Sequence, residues 1–148
     1  MALPAFAESG DLPPGIHRAT WQETLDRFGA ASARRKVLSL RLQRIWQLAS
    51  STGHLKQFVV FGSFFTAKAE PNDVDVFLLM EDAFDASQLT GETRMLFDHA
   101  AAQAHFGASV FWLRRLAAFG GEQQAIEDWQ VKRDGGKRGI VKIVREAP

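Results

Sequence analysis

The feature that most restricts how this chain can fold is the run Phe58-Val59-Val60-Phe61, cut by Gly62-Ser63 and followed after nine residues by Asp73-Val74-Asp75-Val76. Four consecutive apolar β-formers predict a short buried strand. Gly62 stops it, because glycine lets the backbone turn tightly and come close to a ligand. Asp73 to Met80 predicts a second strand. Side chains alternate along a strand, so Asp73 and Asp75 leave one face while Val74 and Val76 point into the core.

That arrangement has a chemical reading. Ser63 is placed to open a short helical turn, where backbone N–H groups point at an anion and the hydroxyl adds another donor. Two neighbouring carboxylates raise one another's pKa unless a cation lies between them. Mg²⁺ (or Mn²⁺) suits them, since a hard ion takes oxygen ligands and shares them with substrate phosphates. A phosphate cradle beside metal-holding carboxylates points to phosphoryl or nucleotidyl transfer. Lys68, between turn and carboxylates, is either a point charge for a triphosphate or a solvated loop lysine. For Thr66 and Asn72 the preferred role is to hold the loop.

The rest of the chain reads as a mixed domain. Residues 1–16, with Pro4, Pro13, Pro14 and Gly15, predict an extended lead-in, and 17–148 a single domain. His17 is expected to tie the Pro-Gly segment down. Thr20 and Glu23 form a capping-box pattern for a helix from Trp21 to Phe28, ended by Gly29. Ser32 caps a longer helix reaching about Ser50, closed by Gly53, with Leu38, Leu42, Ile45 and Ala49 as its buried stripe. Arg34, Arg35, Arg41 and Arg44 belong mostly to its other faces. A third helix is expected over Thr90–Phe106, with Met95, Leu96, Ala100 and Ala104 apolar. A strand follows over Ala108–Leu113, then a short helix around Glu122–Asp128. Asp134-Gly135-Gly136 between Trp129–Arg133 and Gly139–Val144 signals a C-terminal β-hairpin. The sum is an α/β (α+β) domain with a small mixed sheet flanked by helices.

Composition sets limits. The 148 residues suit one domain, and there is no cysteine, which removes disulfides and thiolate metal sites and fits the cytoplasm. No apolar run is long enough for a bilayer, so no membrane is expected. A net charge of +1 argues against bulk attraction to nucleic acid. The local run Lys132, Arg133, Lys137, Arg138, Lys142 and Arg145 could touch nucleic acid or a partner; the preferred explanation is a charged edge that discourages strand pairing. His54, His99 and His105 show no metal spacing. Trp21, Trp46, Trp112 and Trp129 read as core.

Phe61-Gly62-Ser63 and Asp73-Val74-Asp75 resemble the hallmark of the polymerase-beta-like nucleotidyltransferase superfamily. A narrower resemblance, to a small bacterial nucleotidyltransferase-like branch, rests on Leu12–His17, Trp21-Gln22-Glu23, Gly62–Thr66, Pro71–Asp75 and Trp129–Val141. It implies the nucleotidyltransferase fold, with Gly62, Ser63 and Lys68 on nucleoside triphosphate and Asp73 and Asp75 as catalytic, metal-holding acids. It also implies transfer of a nucleoside monophosphate to a hydroxyl of a protein or transfer RNA acceptor, in the setting of a toxin–antitoxin or defence pair. The superfamily usually adds a third carboxylate on the next strand; the expected position holds Ser109, with Glu122, Glu127 and Asp128 as possible replacements from the following helix. A catalytically degenerate nucleotide-binding or inhibitory protein is the alternative.

Overall fold

The computed structural model describes residues 3–145; Met1, Ala2 and residues 146–148 lie outside them. Five strands form one mixed sheet: β1 (Gly15–Thr20), β2 (Leu55–Phe61), β3 (Val74–Met80), β4 (Ala108–Arg114) and β5 (Gly139–Val144), in the spatial order β1-β5-β2-β3-β4. β2 runs antiparallel to both β3 and β5, whereas β1 with β5 and β3 with β4 are parallel. The helices are α1 (Trp21–Phe28), α2 (Ala33–Ser51), α3 (Gly91–Leu96), α4 (His99–Phe106) and α5 (Glu122–Glu127). Among the described residues, no helix is long and apolar enough to cross a membrane.

Alternation along β3 divides the core in two. Val74, Val76, Leu78 and Met80 join the larger cluster with Leu38, Leu42 and Ile45 of α2 and with Leu96, Ala102 and Phe106 of α3 and α4. Phe77 and Leu79 turn to the second face, with Val59, Phe61, Ile140 and, from α5, Ile126. Burying a Phe or Leu side chain is worth about 1.5–3 kcal/mol, so both faces hold the sheet. The cover is unequal, however. Four helices or their neighbours pack the first face, and little more than α5 and Trp129 the second.

Local signals explain most boundaries. The Thr20 hydroxyl accepts from the Glu23 amide at 3.1 Å, and the Glu23 carboxylate accepts from the Thr20 amide at 3.1 Å, the reciprocal cap expected. Ser32 caps α2 through the Arg35 amide, and Gly107 ends α4 in the left-handed region.

Several expectations are corrected. The lead-in is not merely extended: Gly15–Thr20 is an edge strand, and Leu12 before it is buried. Its parallel partner β5 pairs with it at a separation of 124 residues (Gly15 with Gly139), so no local periodicity announces the pairing. The expected single helix over Thr90–Phe106 breaks at Phe97-Asp98, where Asp98 caps α4; Leu96, Ala102 and Phe106 face the core instead of Met95, Ala100 and Ala104. Among the described residues there is no C-terminal hairpin of two strands. Asp128–Gln130 is a 3₁₀ turn, and the Asp134-Gly135-Gly136 turn carries one isolated bridge, Val131 to Lys137. β5 is not an edge either, since it lies between β1 and β2, which removes the charged-edge explanation for the basic run.

Candidate functional site

Phe61 ends β2 in register with Asp75, and Asp75 in turn faces Ser109 across the parallel β3–β4 pair. The strand order therefore sets Gly62, Asp75 and Ser109 side by side at one end of the sheet. Gly62 takes φ 90 and ψ −169, a combination essentially confined to glycine. A Cβ at this position would overlap Asp75 Oδ2 outright and lie 3.0 Å from its Cγ. The absence of a side chain is thus what allows the turn to rest on the carboxylate. Ser63 then opens a 3₁₀ turn, Ser63–Phe65.

Asp75 is half-buried, and its pKa is pushed up to about 6, first by burial and then by the negative charge of Asp73. Arg138 and Arg133 pull the other way through their charge, and the Ser109 hydroxyl does so by hydrogen bonding to the carboxylate. Asp73 stands immediately before β3, which begins at Val74, so it is not part of the strand expected to hold it. Among the described residues no group of three or more His, Asp or Glu side chains could hold a metal ion. Asp73 and Asp75 nevertheless offer a pair of hard oxygen donors whose charges oppose one another. Such a pair fits Mg²⁺, which binds through one or two carboxylates and completes its shell with water and phosphate oxygens.

Gly62 also lines a cavity of about 490 Å³, together with Ser63, Lys68, Lys132, Arg138 and Asp11 among others. It unites the three residues expected on nucleotide with Lys132 and Arg138 of the basic run and with Asp11, which the sequence did not single out. Lys132 Nζ pairs with Asp11 Oδ2 at 3.0 Å. Arg138 sits 5.0 Å from the Phe61 ring centroid, and burial holds its pKa below the usual guanidinium value. Its Nε is buried with no hydrogen-bond partner among the described residues. With Lys132 paired to Asp11, Lys68 and Arg138 leave the lining of this cavity with an excess of positive charge.

Arg35 is the residue that sequence reasoning placed wrongly. It is 4% exposed, and its guanidinium donates to the carbonyls of Phe28, Phe64, Thr66 and Lys68. It braces the loop that follows Ser63 from beneath. Thr66 plays the structural part expected, donating to the Ser63 carbonyl at 2.7 Å and accepting from the Lys68 amide. Asn72 is exposed. The N-terminal segment closes the loop from above: the Ala67 amide donates to Gly10 O at 2.8 Å, and His17 Nε2 lies 2.6 Å from Pro13 O.

The acids suggested as substitutes for Ser109 are engaged elsewhere. Glu122 pairs with Lys56 and Arg115 beside the opposite end of the sheet. Glu127 accepts from Gln123, and Asp128 from Gln124. His105 pairs with Glu92, and His99 rests against Phe111.

The second sheet face continues away from the acids as an aromatic floor. Phe77 and Phe111 follow Asp75 and Ser109 by two positions, and Trp129 packs on Phe61, Phe77 and Phe111 with ring centroids 4.8–5.4 Å apart. Above this floor lies a groove of about 810 Å³. Trp112 and Trp129 pack against the two core clusters, as the sequence suggested, but are only half-buried and also line this groove.

The chain is thus a mixed α+β domain with a glycine turn seated on a half-buried carboxylate, beside a cavity rich in cations. The chain belongs to a family of unknown function, DUF6932, whose model matches residues 4–144. No curated protein and no solved structure matches it.

Proposed function

We propose that this domain has the nucleotidyltransferase fold and binds a nucleoside triphosphate with a divalent ion. In this reading it transfers the nucleoside monophosphate to a hydroxyl of a macromolecular acceptor. The observation that carries the reading is the seating of Gly62 on the Asp75 carboxylate, which brings the turn that would hold phosphate into direct contact with one of the two acids. Lys68, Lys132 and Arg138 would neutralise the phosphates in the adjoining cavity. Asp73 and Asp75 would hold Mg²⁺, which supplies charge neutralisation at the reacting phosphate. The acceptor oxygen would attack the α-phosphorus as the bond to the leaving pyrophosphate breaks, and the hydroxyl proton would pass to a base.

Ser109 favours a second reading. It stands opposite Asp75 where the resemblance places a third acid, and a serine hydroxyl is no proton acceptor at neutral pH. Loss of a positioned base costs about 10²–10⁴-fold in rate. A protein that binds nucleotide and acts as an inhibitory partner follows from the same geometry.

A nucleotidyl transfer assay separates the two, using wild type, Ser109→Asp and Asp75→Ala, each checked for folding. The transferase reading expects low transfer in wild type, a gain in Ser109→Asp because its carboxylate would stand beside Asp75, and none in Asp75→Ala. A folded Ser109→Asp protein that binds metal and gains nothing would favour the binding-only reading.

A further inference from the structure

At the far end of β5 from Arg138 the sheet opens into a cavity of about 380 Å³. Its origin is a parting of strands. β2 and β5 pair only from Phe58–Ile143 to Val60–Val141, so Leu55, Lys56 and Gln57 of β2 run on with no partner in β5. Arg18, Lys56, Lys142 and Arg145 line the gap, and no Asp or Glu is among its lining residues.

Two of these cations are set against one another by the topology. Arg18 and Lys142 stand directly opposite across the parallel β1–β5 pair, on strands about 4.8 Å apart. Like charges so placed repel. Lys142 is also half-buried, and burial first, then Arg18, hold its pKa below the usual lysine value. The acid that counters them is Glu122, but it already pairs with Lys56 at 3.0 Å and with Arg115 at 3.5 Å. Among the described residues neither Arg18 nor Lys142 has an ion-pair partner. A lysine on an edge strand discourages strand pairing, but Lys142 lies on an interior strand. A half-buried cation facing a second cation costs stability until an anion neutralises both.

We propose that this cavity binds a compact, multiply charged phosphate group of a small molecule, held by Arg18 and Lys142 with Lys56 and Arg145 adding to the field. The Arg18 guanidinium supplies paired N–H donors and Lys142 a point charge, the combination that suits phosphate oxygens. The site is separate from the Gly62 cavity. Arg138 and Lys142 are four positions apart on β5, about 13 Å, which is too far for one phosphate group to reach both. The inference stands independently of the transferase reading.

The probe is inorganic pyrophosphate in chelator at fixed ionic strength, titrated by calorimetry into wild type, Lys142→Met, Arg18→Gln and Lys68→Met, each checked by thermal unfolding. Arg18 is exposed on an edge strand, so its replacement leaves the fold intact. The expected result is saturable binding that weakens at least about tenfold in Lys142→Met and in Arg18→Gln, as for loss of a charge-assisted contact. The same binding step should persist in Lys68→Met, whose change is confined to the Gly62 cavity. Absence of saturable binding overturns the proposal, as does unchanged affinity in folded Lys142→Met and Arg18→Gln. Loss in Lys68→Met alone also overturns it and assigns pyrophosphate to the Gly62 cavity. Displacement of pyrophosphate by a single-stranded RNA oligonucleotide at equal phosphate concentration overturns the compact ligand, since a nucleic-acid backbone would then fill the gap.

Discussion

Replacing Asp75 by Asn should make the protein more stable above neutral pH while removing its proposed function. The carboxyl titrates at about 6 in the fold against an ordinary 3.8, because burial and Asp73 disfavour its charged form. Between those two pH values the folded chain binds more protons than the unfolded chain, so the Asp75 contribution to stability falls as pH rises through that window. Above about pH 7 the full penalty applies. A shift of this size corresponds to about 3 kcal/mol, which water around the half-buried side chain reduces to about 1–3 kcal/mol. Asn has nearly the same shape and carries no charge, so it escapes the penalty at every pH. The loss of attraction to Arg138 opposes this gain, and that attraction is already weaker than the burial and Asp73 effects that set the direction. For a domain of this length the gain corresponds to roughly 2–4 °C in Tm per kcal/mol. Urea and thermal unfolding of wild type and Asp75→Asn near pH 8 and near pH 4 would measure it. The difference should be present at the higher pH and vanish at the lower one. A variant less stable than wild type near pH 8, or a difference independent of pH, would refute the reasoning.

Two other substitutions probe the same end of the sheet. Gly62→Ala should abolish nucleotide binding and cost about 1–3 kcal/mol of stability, since its Cβ meets the Asp75 carboxylate in a glycine-only conformation; a folded variant with unchanged nucleotide affinity and unfolding midpoint would remove the turn from the site. Arg35→Ala should cost at least about 3 kcal/mol, because four carbonyls lose a buried charged donor, and Arg35→Lys should recover part of this in urea denaturation; a variant as stable as wild type would show that the loop after Ser63 needs no brace.

The site was legible in the sequence to the extent that it is local. Gly62, Ser63 and the Asp73–Asp75 pair lie within one strand-turn-strand segment, and alternation alone sends Asp75 and Val76 to opposite faces. Ser109 was found through resemblance, and the β3–β4 register places it opposite Asp75. What stayed hidden depends on distant pairing. β1 pairs with β5 across most of the chain, and this converts a supposed charged hairpin into an interior strand led by Arg138. The basic run was visible as composition, but only the topology carries Lys132 and Arg138 to the Gly62 cavity and leaves Lys142 and Arg145 at the other end of β5. Arg35 misled because a buried arginine on a helix is unusual. Its four carbonyl partners lie outside its own helix, and no helical periodicity reports them. The break at Phe97-Asp98 rests on a capping aspartate within a sequence of otherwise good helix formers.

The central claim is that Asp73, Asp75 and the Gly62 turn form one nucleotide site dependent on a divalent ion. Calorimetric titration with a nucleoside triphosphate tests it most directly, in Mg²⁺ and in chelator, for wild type, Asp73→Asn and Asp75→Asn. The account predicts binding of the triphosphate in Mg²⁺, at least about tenfold weaker binding in chelator, and loss of that difference in both variants, since the metal joins the carboxylates to the phosphates. Identical affinity with and without Mg²⁺ in wild type, or an undiminished Mg²⁺ effect in both variants, would contradict it.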